Sequence, residues 1–262
     1  MWAFAGVSVV NAIPSGLGST MAIDVKITVD LVPKDVSSHS TLTRYIVEHF
    51  MKAYGIPEVG VLVNSPIPSG GGLKSSSAVS VALIEAIKKR FKIENVYSPL
   101  LSAELSRASG VSITGAFDDA VAAYHGGISF TNNLEKKVLT IREPPEDIVV
   151  VVLASGNRKP IDVNALRSNP WLFEEAFSIA LRGDVFKAML LNGMTIAKLL
   201  GYDVEPIRRV LTLGAIAAGI SGNGPSMFAV AKEGEEGPLI DYFVSLDTGK
   251  IIVSRPAKVQ RL

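Results

Sequence analysis

The sequence predicts an α+β protein divided into two domains near residue 145. Three observations carry this. Ile23, Val25, Ile27, Val29 and Leu31 alternate with Asp24, Lys26, Thr28 and Asp30, the period of a strand buried on one face. Val79, Leu83, Ile87 and Phe91 recur every four residues, with Ala82 and Ala86 on the same stripe, the period of a long helix. After Pro144-Pro145 the texture changes, and Ile148-Val-Val-Val-Val-Leu153 reads as a strand covered on both faces.

Taken in order, residues 2–10 form an apolar run compatible with a buried strand. Asn11-Ala-Ile-Pro-Ser-Gly-Leu-Gly-Ser19 is rich in turn formers and marks a loop, which the alternating strand follows. Thr41 to Tyr54 shows helical spacing through Leu42, Tyr45, Ile46, His49 and Phe50, and Gly55-Ile-Pro57 stops it. A strand from Val59 to Val63 leads into Pro68-Ser-Gly-Gly-Gly-Leu-Lys-Ser-Ser-Ser-Ala78, and the long helix begins there. Its serine-rich first turn suits N-capping, its basic last turn suits the helix dipole, and Glu85, Lys88 and Lys89 are expected to face outward.

Further helices are expected from Pro99 to about Arg107, containing Glu104, and from about Ala116 to Tyr124, ending at Gly126-Gly127. The second half offers helices near 170–182, 184–200 and 203–213, strands near 215–220 and 226–231, a helix near 236–244 and a strand at 250–254. With the extra helices set aside, that order is β-α-β-β-α-β, the split βαβ of a ferredoxin-like domain. The expected domains are thus residues 1–145 and 146–262.

Composition narrows the function. A chain of 262 residues can bury a substantial core. Apolar residues are 48% of it, but no uninterrupted apolar run approaches the roughly 18 to 20 residues of a membrane span. The apolar opening Met1-Trp-Ala-Phe-Ala-Gly6 lacks a basic flank, so no secretion signal is expected and the default location is the cytoplasm. The net charge of +1 and the scattered basic residues exclude the footprint of a nucleic-acid binder. Without cysteine there is no thiol chemistry or disulfide framework, and His39, His49 and His125 have no ligand-pair spacing. Nothing here fixes an oligomeric state.

The chemistry gathers on the glycine run. Gly70, Gly71 and Gly72 allow backbone amides to approach a ligand, and the following helix points its unpaired N–H groups and positive dipole end at the same place, so an anion such as phosphate is the natural ligand. The segment fails as a Walker A loop, because Leu73 stands where glycine should precede Lys74. A serine hydrolase built on Ser75 to Ser77 lacks the nucleophile elbow.

What remains, P-x-x-x-G-L-K-S-S-S-A from Pro68 to Ala78, resembles the phosphate-binding motif of the GHMP kinase superfamily, most specifically that of archaeal-type shikimate kinases. Ser221-Gly-Asn-Gly-Pro-Ser226 resembles the superfamily's third motif, and Ile113-Thr-Gly-Ala-Phe-Asp-Asp-Ala120 the segment that carries its catalytic aspartate. Asn11-Ala-Ile-Pro-Ser-Gly-Leu-Gly18 and Ala22-Ile-Asp-Val25 are similar to the archaeal shikimate kinase opening. The resemblance implies an N-terminal domain like that of ribosomal protein S5, a ferredoxin-like C-terminal domain, ATP and Mg²⁺, and transfer of the γ-phosphoryl group to shikimate. Homoserine and mevalonate kinases share the nucleotide loop and are the alternative, with a catalytically silent nucleotide-binding regulator as a second.

The same resemblance proposes roles. Pro68, Ser69, Gly70, Gly71, Gly72, Leu73, Lys74, Ser75, Ser76, Ser77 and Ala78 would hold the nucleotide, supported by Ser221, Gly222 and Gly224. Lys74 would touch phosphate, or else face solvent or the ribose. Ser75 or Ser76 with Glu104 would ligate Mg²⁺; otherwise Ser75 caps the helix and Glu104 is solvated. Counting back from Gly126-Gly127 by resemblance to mevalonate kinase favours Asp119 as the base, with Asp118 still open. Asn11, Ser15, Ser19 and Asp24 could hydrogen-bond the acceptor's hydroxyls, and Arg158, among Lys159, Arg107 and Arg167, its carboxylate. The lysine that many superfamily members carry in the first motif has no counterpart in Gly6-Val-Ser-Val-Val10.

Overall fold

Residues 18–22 are buried on both faces of the sheet, so they lack the alternation seen from Ile23 onward, and the strand that contains them runs from Leu17 to Val32. This strand, β2, is the centre of an antiparallel sheet in the computed structural model, which describes residues 1–36, 40–156 and 160–260. β1 (Trp2–Val10) lines one side of β2. On the other side β3 (Gly60–Asn64) pairs with residues 28–32, and β4 (Ile128–Asn132) pairs with residues 17–21 and carries β5 (Lys137–Arg142). The hairpin β4–β5 has no counterpart among the elements expected from the sequence. β4 alternates Ile128 and Phe130 with Ser129 and Thr131, all four buried, over too few residues to stand out, and β5 is half exposed.

Helix α1 (Thr41–Tyr54) begins with a reciprocal capping box between Ser40 and Thr43 and stops at Gly55, whose φ of 65° only glycine adopts readily. Helix α2 (Ser75–Phe91) packs against β1 and β2 and is flanked by α1, α3 (Ser98–Ala108) and α4 (Phe117–His125). It is buried on most of its circumference. Glu85 and Lys88, expected on an outward face, are instead half-buried and tie α2 to Ser98 at the start of α3.

The second sheet is ordered β7-β8-β6-β9, with every neighbouring pair antiparallel. Its strands are β6 (Ile148–Ala154), β7 (Ala217–Ile220), β8 (Met227–Lys232) and β9 (Lys250–Ser254), the ferredoxin-like arrangement that the element order implied. Between β6 and β7 run α5 (Val163–Arg167), α6 (Pro170–Leu181), α7 (Val185–Leu199) and α8 (Glu205–Thr212); α9 (Gly237–Ser245) joins β8 to β9.

One apolar core joins the two sheets. Helices α6 and α7 pack against β1, and Phe177 of α6 meets Phe130 of β4 edge-on at 5.7 Å between ring centres. After β9 the chain returns across the first sheet: Ala257 accepts from Gly127 at 2.8 Å and donates to Ala22 at 2.9 Å, and Gln260 donates to the last carbonyl of α4 at 2.8 Å. These bonds fix α4, and with it the aspartate pair, from its C-terminal end.

Candidate active site

The glycine loop is shaped by what it touches. Gly72 has φ of 89°, and a Cβ there would strike the carbonyl of Ser221; a Cβ on Gly71 would strike that of Ser155. Both glycines therefore let the loop pack onto the second sheet. Ser221 Oγ donates to Gly72 O at 2.8 Å and Ser226 N to Gly71 O at 3.0 Å, while Ser8 Oγ accepts from Gly222 N at 2.9 Å. The resulting clamp joins loop, β1 and the 221–226 turn.

Lys74 follows in the left-handed region, φ 65°, and is the N-cap of α2, with no side chain capping the first turn. The serine run was expected to cap this helix. Because the cap is a lysine instead, the amides of the first turn keep their capacity for an external acceptor, and the hydroxyls of Ser75, Ser76 and Ser77 line the adjoining cavity.

That cavity has a volume of about 190 Å³ and lies between the glycine loop, the segment 111–119, the 221–226 turn and the end of β1. Asp118 and Asp119, in the first turn of α4, both face it. Lys74 Nζ stands 2.9 Å from Asp119 Oδ1, and both side chains are largely shielded. Thr20 Oγ1 is 2.7 Å from the same oxygen and 3.2 Å from Asp118 Oδ2. Asp118 is 4% exposed, and Asn133 Nδ2 donates to its Oδ1 at 2.7 Å. Burial first, and the charge of Asp119 second, push its carboxyl up to about 7, against the pull of Lys74 and Asn133. Gly18 makes room for it, since a Cβ there would lie 2.6 Å from Asp118 Cγ.

A second cavity, of about 420 Å³, opens on the other side of the start of α2. Leu42, Val63, Ile67 and Val79 give it apolar walls, and it shares Ser75, Ser76 and Val111 with the first. The two cavities thus meet at the uncapped helix terminus.

Residues 41–127, which contain the glycine loop and the aspartate pair, match the family model of the GHMP kinases N-terminal domain. The shikimate kinase of Pyrococcus furiosus is 37% identical over 248 residues, 87% of this chain and 90% of that one. That of Archaeoglobus fulgidus is 37% identical over 261 residues, covering 97% and 91%. The chain belongs to the archaeal shikimate kinase family of GHMP kinases. Among solved structures, the homoserine kinase of Cytophaga hutchinsonii is similar in fold, with a TM-score of 0.70 at 17% identity over 99% of this chain and 95% of that one. So is the mevalonate kinase of Methanococcus jannaschii, with a TM-score of 0.70 at 16% identity over 100% and 98%.

Against this family frame, the residues singled out in the sequence fall into two groups. Gly70, Gly72, Lys74, Ser75, Ser76, Ser77, Asp118, Asp119, Gly222 and Gly224 line one cavity, together with Asn11. Asn11 is occupied structurally: its Nδ2 donates to Asn223 Oδ1 at 2.7 Å and its own N–H to Asn192 Oδ1 at 2.9 Å. Ser221 secures the loop from behind, Ser69 lines the second cavity, and Leu73 is in the core.

Others lie elsewhere. Glu104 is exposed and paired with Lys136 at 2.8 Å. Ser106, two residues on, lines the cavity, and two residues on a helix differ by roughly 200°, so Glu104 points away from it. Asp24 is exposed on β2 and paired with Lys26 at 3.5 Å. Ser15 Oγ accepts from Leu17 N at 3.3 Å within its own loop, and Ser19 is fully buried. Arg158 and Lys159 lie outside the described residues.

Thr20, Asn133 and Asn223 were not singled out by sequence reasoning. Thr20 falls between the expected loop, which ends at Ser19, and the alternation that starts at Ile23, and Asn133 sits in the turn of the β4–β5 hairpin, which was not among the expected elements. A buried hydroxyl or amide in such places becomes visible only once its partner across the sheet is known.

Proposed function

We propose that the protein is a shikimate kinase that transfers the γ-phosphoryl group of ATP to the 3-hydroxyl of shikimate, a step toward chorismate and the aromatic amino acids. The observation that carries the site reading is the position of the Lys74–Asp119 pair, which faces the same cavity as the uncapped start of α2. Phosphoryl transfer needs positioning and charge stabilisation more than covalent chemistry, and this place supplies both.

The triphosphate lies along the glycine loop, receiving amides from the first turn of α2. The larger, more apolar cavity beside Leu42 and Val79 takes the nucleoside, and the smaller polar one takes the acceptor. Asp119 accepts the proton of the attacking hydroxyl, and Lys74 orients that carboxylate and balances its charge. Among the described residues lining the smaller cavity Lys74 is the only cation, so Arg158 stays our proposal for the partner of the acceptor carboxylate.

Among the described residues no cluster of acidic or histidine side chains could hold a metal alone. This fits Mg²⁺ held chiefly by phosphate oxygens and water, with a hydroxyl of Ser75 or Ser76 as the protein oxygen. Bound there, the ion would supply charge neutralisation on the phosphates. No helix among the described residues is long and apolar enough to cross a membrane, and we propose the cytoplasm as the location and the expected boundary near residue 145 as the junction of two domains. The deciding experiment measures coupled ADP release with shikimate, homoserine and mevalonate as acceptors. Turnover without preference for shikimate would sink the assignment.

A further inference from the structure

We propose that Thr20 and Asp118 form a proton relay behind Asp119, through which the proton taken from the acceptor hydroxyl passes on to Asp118. The proposal rests on the reading of Asp119 as the contacting base. Its geometry is a single hydroxyl placed between two carboxylates, with Thr20 Oγ1 2.7 Å from Asp119 Oδ1 and 3.2 Å from Asp118 Oδ2. A hydroxyl carries one proton and can accept as well as donate. When either aspartate is protonated, Thr20 accepts from that one and donates to the other, and the chain is continuous.

The parts are held for this arrangement. Thr20 and Asp118 are both buried, and Ser129 Oγ accepts from Thr20 N at 3.2 Å while donating to the carbonyl of Asp118 at 2.8 Å. Asn133 donates to the far oxygen of Asp118 and accepts from its backbone N–H at 3.2 Å, so Oδ2 is the oxygen left for Thr20. The charges acting on Asp118 are Asp119 on its own helix and Lys74 at the start of α2; Thr20 of β2 and Asn133 after β4 are neutral.

The two carboxylates have unlike environments. Asp119 has an ammonium partner at 2.9 Å, whereas Asp118 is almost wholly buried and is pushed up to about 7. The proton therefore comes to rest on Asp118. During transfer, the acceptor oxygen bonds to phosphorus as its O–H breaks, the bond from phosphorus to the β-bridging oxygen of ADP breaks, and Asp119 takes the proton. Asp119 then gives a proton to Thr20 Oγ1 as Thr20 gives its own to Asp118 Oδ2. Asp119 is again charged, and the stored proton leaves by the same path after product release.

The test compares kcat, both KM values and the pH profile of kcat for the full-length wild type, Thr20→Val, Thr20→Ser, Asp118→Asn and Asp119→Asn, with ATP binding measured as the check of folding. The wild-type kcat should rise with pH to a plateau above about 7, as Asp118 becomes free to accept. Thr20→Val and Asp118→Asn should lose that limb and about tenfold or more in kcat, with both KM values within about twofold. Thr20→Ser, which keeps the hydroxyl, should recover the limb. If Asp119→Asn loses turnover while Thr20→Val keeps the wild-type kcat and limb, the relay is overturned and the base stands. If Asp119→Asn turns over normally, both fall. Should Thr20→Val fail to bind ATP, Asp118→Asn and Thr20→Ser decide on the same criteria.

Discussion

Lys74 reaches Asp119 at 2.9 Å from the side of the glycine loop, joining the start of α2 to the start of α4. The first motif of many GHMP kinases carries a lysine near the reacting hydroxyl, and here that region, Gly6-Val-Ser-Val-Val10, has none. The structure shows what the glycine allows. A Cβ on Gly6 would lie 3.3 Å from Lys74 Cγ and 2.8 Å from Thr20 Cγ2, so a bare backbone at this point leaves the space through which Lys74 passes. On the proposed reading, Lys74 of the glycine loop supplies the cation that the first motif lacks.

Lys74→Met keeps the length of the stem and removes the charge. It should lower kcat about 10- to 100-fold while the protein still folds, because it takes away a charge at the reacting centre. Lys74→Arg should not restore the rate, since a planar guanidinium presents a different geometry. Steady-state kinetics with ATP and shikimate checks both; wild-type turnover in Lys74→Met would show that the pair is only structural.

Gly72→Ala should damage nucleotide binding more than any other single change in the loop. Its φ of 89° is strained for alanine, and the new Cβ would collide with the Ser221 carbonyl, so the loop must lift from the second sheet. Ser221→Ala is the milder probe, removing the bond to the half-buried Gly72 O and the acceptor of the buried Ser8 N–H, at about 1–3 kcal/mol. Calorimetric ATP binding should weaken strongly in the first variant and modestly in the second. Unchanged affinity in Gly72→Ala would detach the clamp from nucleotide binding.

The loop and the aspartate pair were legible in the sequence because each is a contiguous run whose residue types have few other uses. The second sheet was legible because its strands are short and apolar and are separated by clear helices or, between β7 and β8, by a glycine-rich turn. β4 and β5 were not: Ile128 and Phe130 do alternate with Ser129 and Thr131, but over only five residues, and the polar positions are buried as well because they bond across the fold. For the same reason Thr20 and Asn133 were invisible: each gains its meaning from Asp118, 98 and 15 residues away. Glu104 shows the opposite error. A carboxylate on the right helix is not a ligand when the helix turns it outward toward Lys136.

Val79→Phe probes the division of labour between the cavities. Val79 lines the larger one beside Ser75 and Ser76, away from the aspartates. Added bulk should raise the KM for ATP several-fold, by analogy with the about 1–3 kcal/mol cost of overpacking, and leave the KM for shikimate nearly unchanged. A rise in the shikimate KM alone would exchange the assignments of the two cavities.

Asp118→Asn should stabilise the protein, increasingly so as pH rises from about 4 to about 7. The carboxyl has an ordinary value of 3.8 and is raised to about 7 in the folded protein, mainly by burial. Below 3.8 it is protonated in both states and exacts no charge penalty. Between 3.8 and 7 the unfolded chain has released the proton and the folded one retains it, so folding is progressively disfavoured as pH rises, until the penalty levels off above 7. Asparagine has no such ionisation and can still pair with Thr20 and Asn133. Melting temperatures of both proteins across pH 4 to 8 should therefore diverge toward neutrality and then run parallel, and a constant offset would refute the buried charge as the cause. The same substitution is expected to slow turnover, which would explain why a residue costly to the fold is placed under the active site.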